Sequence, residues 1–164
     1  VSTLPADDPI AEYAATLGAG RFDLDLSGFL QGSIDALFRI TGADGTPRFV
    51  VADYKTNRLH ARDAAVPIEA YRPDRLVDAM VQSDYPLQAL LYSVAVHRFL
   101  EQRLAGYSSE HNLGGITYLF MRGMVGPQGP THHGAPYGVF AWQPPAAAVL
   151  ALESLGGDIS WKGS

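Results

Sequence analysis

The chain has 164 residues, 47% of them hydrophobic and 18% charged, with a net charge of −5. That composition excludes a disordered chain and fits one soluble globular domain with a core of its own. The absence of cysteine excludes a disulfide framework and a thiolate metal site, and the acidic balance argues against a freestanding DNA-binding module.

No signal peptide or bilayer-length apolar run is found, so a cytoplasmic location is expected. The chain begins with Val1 rather than methionine, which suggests a fragment of something larger. Val1 to Pro5 reads as a loose terminus. Asp8-Pro9 reads as an N-cap with proline at the first helical position, opening a helix through Leu17 that Gly18 stops. Arg21 to Leu26 alternates apolar and acidic residues and reads as either a leading strand or a lead-in to the hairpin, with Asp23 and Asp25 facing outward.

Gly28 to Lys55 organises the rest. With period two, Leu30, Gly32, Ile34, Ala36, Phe38 and Ile40 share one face, and Gln31, Ser33, Asp35 and Arg39 the other. That is the pattern of a half-buried strand. Arg48 to Lys55 reads as a second strand, and Asp44-Gly45 with Pro47 as the turn between them. A hairpin centred near Asp44 brings Asp35 opposite Asp53 or within one residue of it, and Lys55 projects from the same face as Asp53. Facing carboxylates destabilise a strand pair. A hard divalent cation held by oxygen ligands would compensate, and a lysine beside it could orient water or stabilise developing charge. A surface hairpin with solvated charges fits the spacing too. Against it, the chain has two lysines, Lys55 and Lys162, beside ten arginines.

Thr56 to Asp84 is polar and reads as a loop with a helix from about Pro73 to Gln82; Arg58 and Arg62 within it are either phosphate contacts or ordinary solvated arginines. Asp84 to Leu104 reads as a long helix, capped by Asp84 or Tyr85, with Pro86 in its first turn. Leu87, Leu90, Leu91, Val94 and Ala95 make its apolar stripe, and Gln88 and Tyr92, four apart, share a face. His97 reads as a surface or boundary residue, and His111 and the pair His132-His133 show no ligand spacing. Ile116 to Arg122 and Val139 to Trp142 read as strands able to pair across a Gly/Pro-rich loop, Gly123 to Gly138. A last helix runs from Pro144-Pro145 to about Leu155 and ends at Gly156-Gly157. The expected fold class is α/β, a mixed sheet flanked by helices.

Gly32-x-x-Asp35, Asp53-Tyr54-Lys55 and Gln88-x-x-x-Tyr92, in this order, resemble the core of the PD-(D/E)xK nucleases. More narrowly they resemble the RecB-type C-terminal nuclease domain, that of the exonuclease V beta chain of RecBCD helicase–nucleases. DYKTNRL, YPLQALLYSVAVHRFL and GGITYLFMRGM carry the resemblance, from about Gly28 to Trp142. It implies a restriction-endonuclease-like fold and a DNA exonuclease or endonuclease acting in break repair and recombination. The site it implies is Asp35, Asp53, Lys55, Gln88 and Tyr92, with Mg²⁺, or Mn²⁺ in its place, held by Asp35, Asp53 and the Tyr54 carbonyl. DNA, especially single strands from unwound duplex, and RecC- and RecD-like subunits are the implied partners. The family also uses a histidine ligand upstream of the hairpin, whereas the first histidine here is His60. A fragment lacking that helix is therefore expected. Two alternatives stand beside it: a non-catalytic nuclease-like interaction module, and another RecB-like exonuclease. Members of the latter group that carry a cysteine-ligated iron–sulfur cluster do not fit a chain without cysteine.

Overall fold

The computed structural model describes residues 4, 5, 7–18 and 32–155, with backbone alone for 16–18 and 155. The expected strand at Arg21–Leu26, the outward Asp23 and Asp25, Leu30, and the helix stop at Gly156–Gly157 lie outside the described residues.

The hairpin forms around Asp44 as expected. Strand β1 (Ala36–Thr41) pairs antiparallel with β2 (Pro47–Lys55). The Asp44 carboxylate closes the turn by accepting the Thr46 N–H at 3.0 Å and its hydroxyl at 2.6 Å. An aspartate followed by a glycine suits this, because Gly45 takes a φ of 79°. Strand β2 then runs parallel to β3 (Leu113–Phe120). A parallel neighbour needs a long crossover, and helices α2 (Pro73–Gln82), α3 (Tyr85–Arg103) and α4 (Ser109–Asn112) supply it. Two short strands, β4 (Thr131–His132) and β5 (Ala135–Pro136), make a separate hairpin, and β6 (Val139–Trp142) pairs antiparallel with β3. The main sheet is mixed, in the order β1-β2-β3-β6. Helix α1 (Ala11–Gly18) precedes it and α5 (Ala146–Leu155) follows. A four-stranded mixed sheet flanked by helices is consistent with a restriction-endonuclease-like core. Among the described residues no helix is long and apolar enough to cross a membrane.

The core lies on one face of this sheet. Alternation along the strands puts Val51, Ile116, Tyr118, Phe120, Phe140 and Trp142 there, all buried and packed with Leu76 and Met80 of α2, Ala89, Val96 and Leu100 of α3, and Val149 of α5. Helix α1 adds Ile10 and Tyr13. Asp8 starts that helix, its carboxylate accepting the Ile10 N–H at 2.8 Å and the Trp142 indole N–H at 3.1 Å.

Several expectations need correction. The first strand covers only Ala36–Thr41, with Gly32, Ser33 and Ile34 in irregular backbone before it. Neither face of the strand is buried, since Leu37, on the face of Val51, is itself 38% exposed. Register sets Phe38 opposite Val50, the face away from Val51 and Asp53, so Phe38 and Ile40 are 48% and 47% exposed. On an edge strand with apolar residues on both faces, periodicity gives the alternation but not which face the helices cover. Strand β3 ends at Phe120 rather than Arg122, because Met121–Gly123 turns in a 3-10 coil. There Gly123 lies against the Tyr71 ring, and a Cβ would sit 2.4 Å from Tyr71 Cβ. The Gly/Pro-rich segment is not wholly loop, since it holds β4 and β5.

Helix α3 buries Pro86, Ala89, Ser93, Val94, Val96, His97 and Leu100. Of the expected stripe, Leu87 and Leu90 pack only at the margin of the core. His97 is therefore inside, not at the surface: its Nδ1 lies 2.7 Å from the Tyr107 hydroxyl and its Nε2 3.0 Å from Glu153 of α5. Asp84 does not cap α3 with its side chain. It sits at the N-cap position with φ 53°, and its carboxylate accepts the Tyr13 hydroxyl at 3.0 Å.

Candidate active site

Strand β2 delivers the centre of the site. Its last residues alternate, so Asp53 and Lys55 turn toward the helices while Tyr54 is 46% exposed. Asp35 stands one residue before the Ala36–Ala52 pair and thus opposite Asp53 in the extended register; its Oδ2 accepts the Tyr54 backbone N–H at 3.0 Å. From the other side, α3 presents Gln88 and Tyr92 one turn apart. All six residues singled out by sequence converge on one place.

Donor and acceptor roles in this cluster follow from chemistry. An ammonium can only donate. Lys55 Nζ lies 2.7 Å from Asp53 Oδ2 and donates to Gln88 Oε1 at 3.0 Å, which fixes the orientation of the Gln88 amide. The Gln88 Nε2 then donates to the Tyr92 hydroxyl at 3.1 Å. That hydroxyl has one proton and two acceptors, the Ser33 carbonyl at 2.8 Å and Asp53 Oδ1 at 3.3 Å. Tyr92 thus ties the segment bearing Asp35 to the strand bearing Asp53. Burial, then the Asp53 charge, pushes its phenol up to about 12, so it stays a proton donor at neutral pH. Tyr118 is held far above the usual phenol range by the same causes in the same order, and donates to the Tyr85 carbonyl at 2.9 Å.

Asp53 is 4% exposed, and its Oδ2 is ion-paired with the Lys55 ammonium at 2.7 Å. Burying a carboxylate is costly unless it is paired. Two carboxylates against one ammonium leave the cluster negative. These residues fit a hard cation, which takes carboxylate oxygens and keeps waters of its own. Among the described residues no third carboxylate, histidine or cysteine joins them in a metal-binding group.

Sequence reasoning missed Tyr85, Tyr118 and Asn57. The Lys55 ammonium lies 3.9 Å from the centroid of the Tyr85 ring and 5.2 Å from that of Tyr118. Asn57 meets the Tyr85 hydroxyl with both atoms of its amide, at 3.0 and 3.2 Å. A signal for Tyr85 existed: it stands three residues before Gln88 and seven before Tyr92, on one helix face. Arg58 and Arg62 are exposed. Arg122 is tied to the segment after Lys55, donating to the Thr56 carbonyl at 2.9 Å. His111 is exposed, while His132 stacks edge-on with His133 and faces Asp74 at 3.9 Å.

No family model matches the chain. Curated relatives do. It is 49% identical over 153 residues to the RecBCD enzyme subunit RecB of Mycolicibacterium smegmatis, covering 93% of this chain and 14% of that one. To the subunit of the same name from Mycobacterium tuberculosis H37Rv it is 50% identical, over 94% of this chain and 13% of that one. The Escherichia coli K12 protein of that name is 34% identical over 80% of this chain and 10% of its own. The chain thus spans about an eighth of the length of the mycobacterial relatives it matches. Identity near one half over nearly the whole of this sequence places it in the RecB family, as a counterpart of one part of that longer chain.

Proposed function

We propose that the chain is a metal-dependent deoxyribonuclease unit that hydrolyses DNA phosphodiesters, with Asp35, Asp53, Lys55, Gln88 and Tyr92 as its active residues. The observation that supports this most is the buried Asp53 carboxylate, opposite Asp35 in the strand register and ion-paired with Lys55 at 2.7 Å. Asp35, Asp53 and the backbone carbonyl of Tyr54 would hold Mg²⁺, or Mn²⁺ in its place. A bound ion supplies Lewis-acid activation of water and neutralises charge at the phosphate.

The chain's own residues do the rest. Lys55 donates but cannot accept, so it orients the attacking water or stabilises charge on the phosphoryl oxygens. Gln88 keeps the ammonium pointed at Asp53 and is itself fixed by Tyr92. Tyr92 holds the two carboxylate-bearing segments at their separation. With a net charge of −5, the chain depends on delivery of its substrate rather than on strong binding of its own. Single strands from an unwinding motor, within a cytoplasmic complex with RecC- and RecD-like subunits, fit that requirement.

The test is cleavage of linear single-stranded DNA by this chain, and by the full-length protein that contains it, with Mg²⁺ and with chelator. Cutting should need the metal and fall by at least about a hundredfold in Lys55→Ala. Metal-independent cutting sinks the metal-dependent mechanism, and no cutting by either protein sinks the nuclease reading and leaves a nuclease-like binding module.

A further inference from the structure

We infer that Tyr85 is a positioning residue for Lys55, presenting its ring face as one wall of the ammonium site. The inference rests on the nuclease reading, in which Lys55 acts at the phosphate. A lysine side chain has four rotatable bonds and loses much rotamer freedom when fixed. Here its head has two oxygen acceptors for three protons, with an aromatic ring beside them. Asp53 Oδ2 lies at 2.7 Å, Gln88 Oε1 at 3.0 Å, and the Tyr85 ring centroid at 3.9 Å. The first two direct the ammonium by hydrogen bonding and charge. The third is the negative face of an aromatic quadrupole, attractive to a cation without taking one of its strong hydrogen bonds. With only 11% of the lysine side chain exposed, that attraction is little screened by water.

The wall is itself braced on every side. The Tyr85 ring stacks on Tyr118, with centroids 5.5 Å apart and planes 13° from parallel. Its hydroxyl is tethered to the Asn57 amide, and its backbone carbonyl accepts the Tyr118 hydroxyl at 2.9 Å. Asn57 lies two residues beyond Lys55, so the end of β2 carries the lysine and the residues just after it carry the clamp for the ring. This bracing gives Tyr85 its role: it keeps the ammonium at one point without occupying the donor that the reaction requires.

The chain's two lysines make the contact directly visible. In protein labelled with ¹³C at lysine Cε, the Lys55 methylene signal is the one absent from Lys55→Ala. Ring current from Tyr85 should place it upfield in the wild type and in Tyr85→Phe, and it should move downfield in Tyr85→Leu, with no metal or DNA present. In the cleavage assay kcat should fall on the order of tenfold in Tyr85→Leu, with KM for DNA unchanged and Tyr85→Phe near the wild type. Fluorinated phenylalanines at position 85 keep the ring shape while weakening its negative face, so kcat should fall stepwise with fluorination even if Tyr85→Leu does not fold. An unmoved Lys55 signal in folded Tyr85→Leu, or a flat fluorination series, overturns the inference. If Lys55→Ala cuts like the wild type, it is the nuclease reading that fails, and the NMR contact remains as a separate result.

Discussion

Replacing Tyr92 with phenylalanine removes one oxygen and should disturb both stability and the site. The hydroxyl receives the Gln88 amide at 3.1 Å, donates to the Ser33 carbonyl at 2.8 Å and faces Asp53 Oδ1 at 3.3 Å. Ser33 is exposed, so its carbonyl can turn to water and costs about 1 kcal/mol, the net worth of an ordinary hydrogen bond. Asp53 Oδ1 loses no proton, because the single proton of the hydroxyl goes to Ser33. The part-buried Gln88 amide loses its acceptor, which costs about 1–3 kcal/mol. Together Tyr92→Phe should destabilise the fold by about 2–4 kcal/mol, read from the denaturant midpoint at unchanged slope. The protonated phenol also predicts a pH signature. Its value is raised from about 10 in the unfolded chain to about 12 in the fold, so the native state favours the neutral form. The stabilisation is therefore whole below pH 10 and lost as pH rises toward 12, a loss that should be smaller in Tyr92→Phe, where the raised phenols of Tyr107 and Tyr118, among others, remain. A stability within about 0.5 kcal/mol of the wild type would refute the claim that this hydroxyl joins Gln88 to Ser33.

Other outcomes follow from the packing. Gly123→Ala should cost about 3 kcal/mol or prevent folding, because its Cβ would meet Tyr71 Cβ at 2.4 Å; thermal melting reads this. Phe38→Ser and Ile40→Ser, on the half-exposed face of β1, should each cost about 1 kcal/mol or less, whereas Leu100→Ala in the core should cost about 3 kcal/mol. Equal losses in both places would contradict the assignment of the core face. Glu153→Gln weakens contacts to His97 Nε2 at 3.0 Å and Arg98 Nε at 2.9 Å, and should speed hydrogen exchange in α5 more than in α3.

What could be read from the sequence depended on whether neighbours in the chain decide the outcome. The Asp44-Gly45 turn fixed the hairpin register, and the register brought Asp35 to Asp53; each step is local. The i, i+4 relation of Gln88 and Tyr92 is local too, and both point into the site. Which face of an element is buried is not local. Phe38 was placed inside and His97 outside because alternation and helical period describe a pattern without the partner that covers it. Burial of His97 became possible only when Tyr107 and Glu153, from elsewhere in the chain, supplied its polar contacts. The Tyr85–Tyr118 wall was hidden for the same reason, since it joins a helix start to a strand 33 residues away.

The most direct test of the account is titration of Mn²⁺ into the metal-free protein, followed by calorimetry or by the electron paramagnetic resonance of the free ion. The account predicts saturable binding that weakens at least about tenfold in Asp53→Asn and persists in Lys55→Ala, because the carboxylates hold the ion while the lysine serves the phosphate. Equal affinity in the wild type and Asp53→Asn would contradict it.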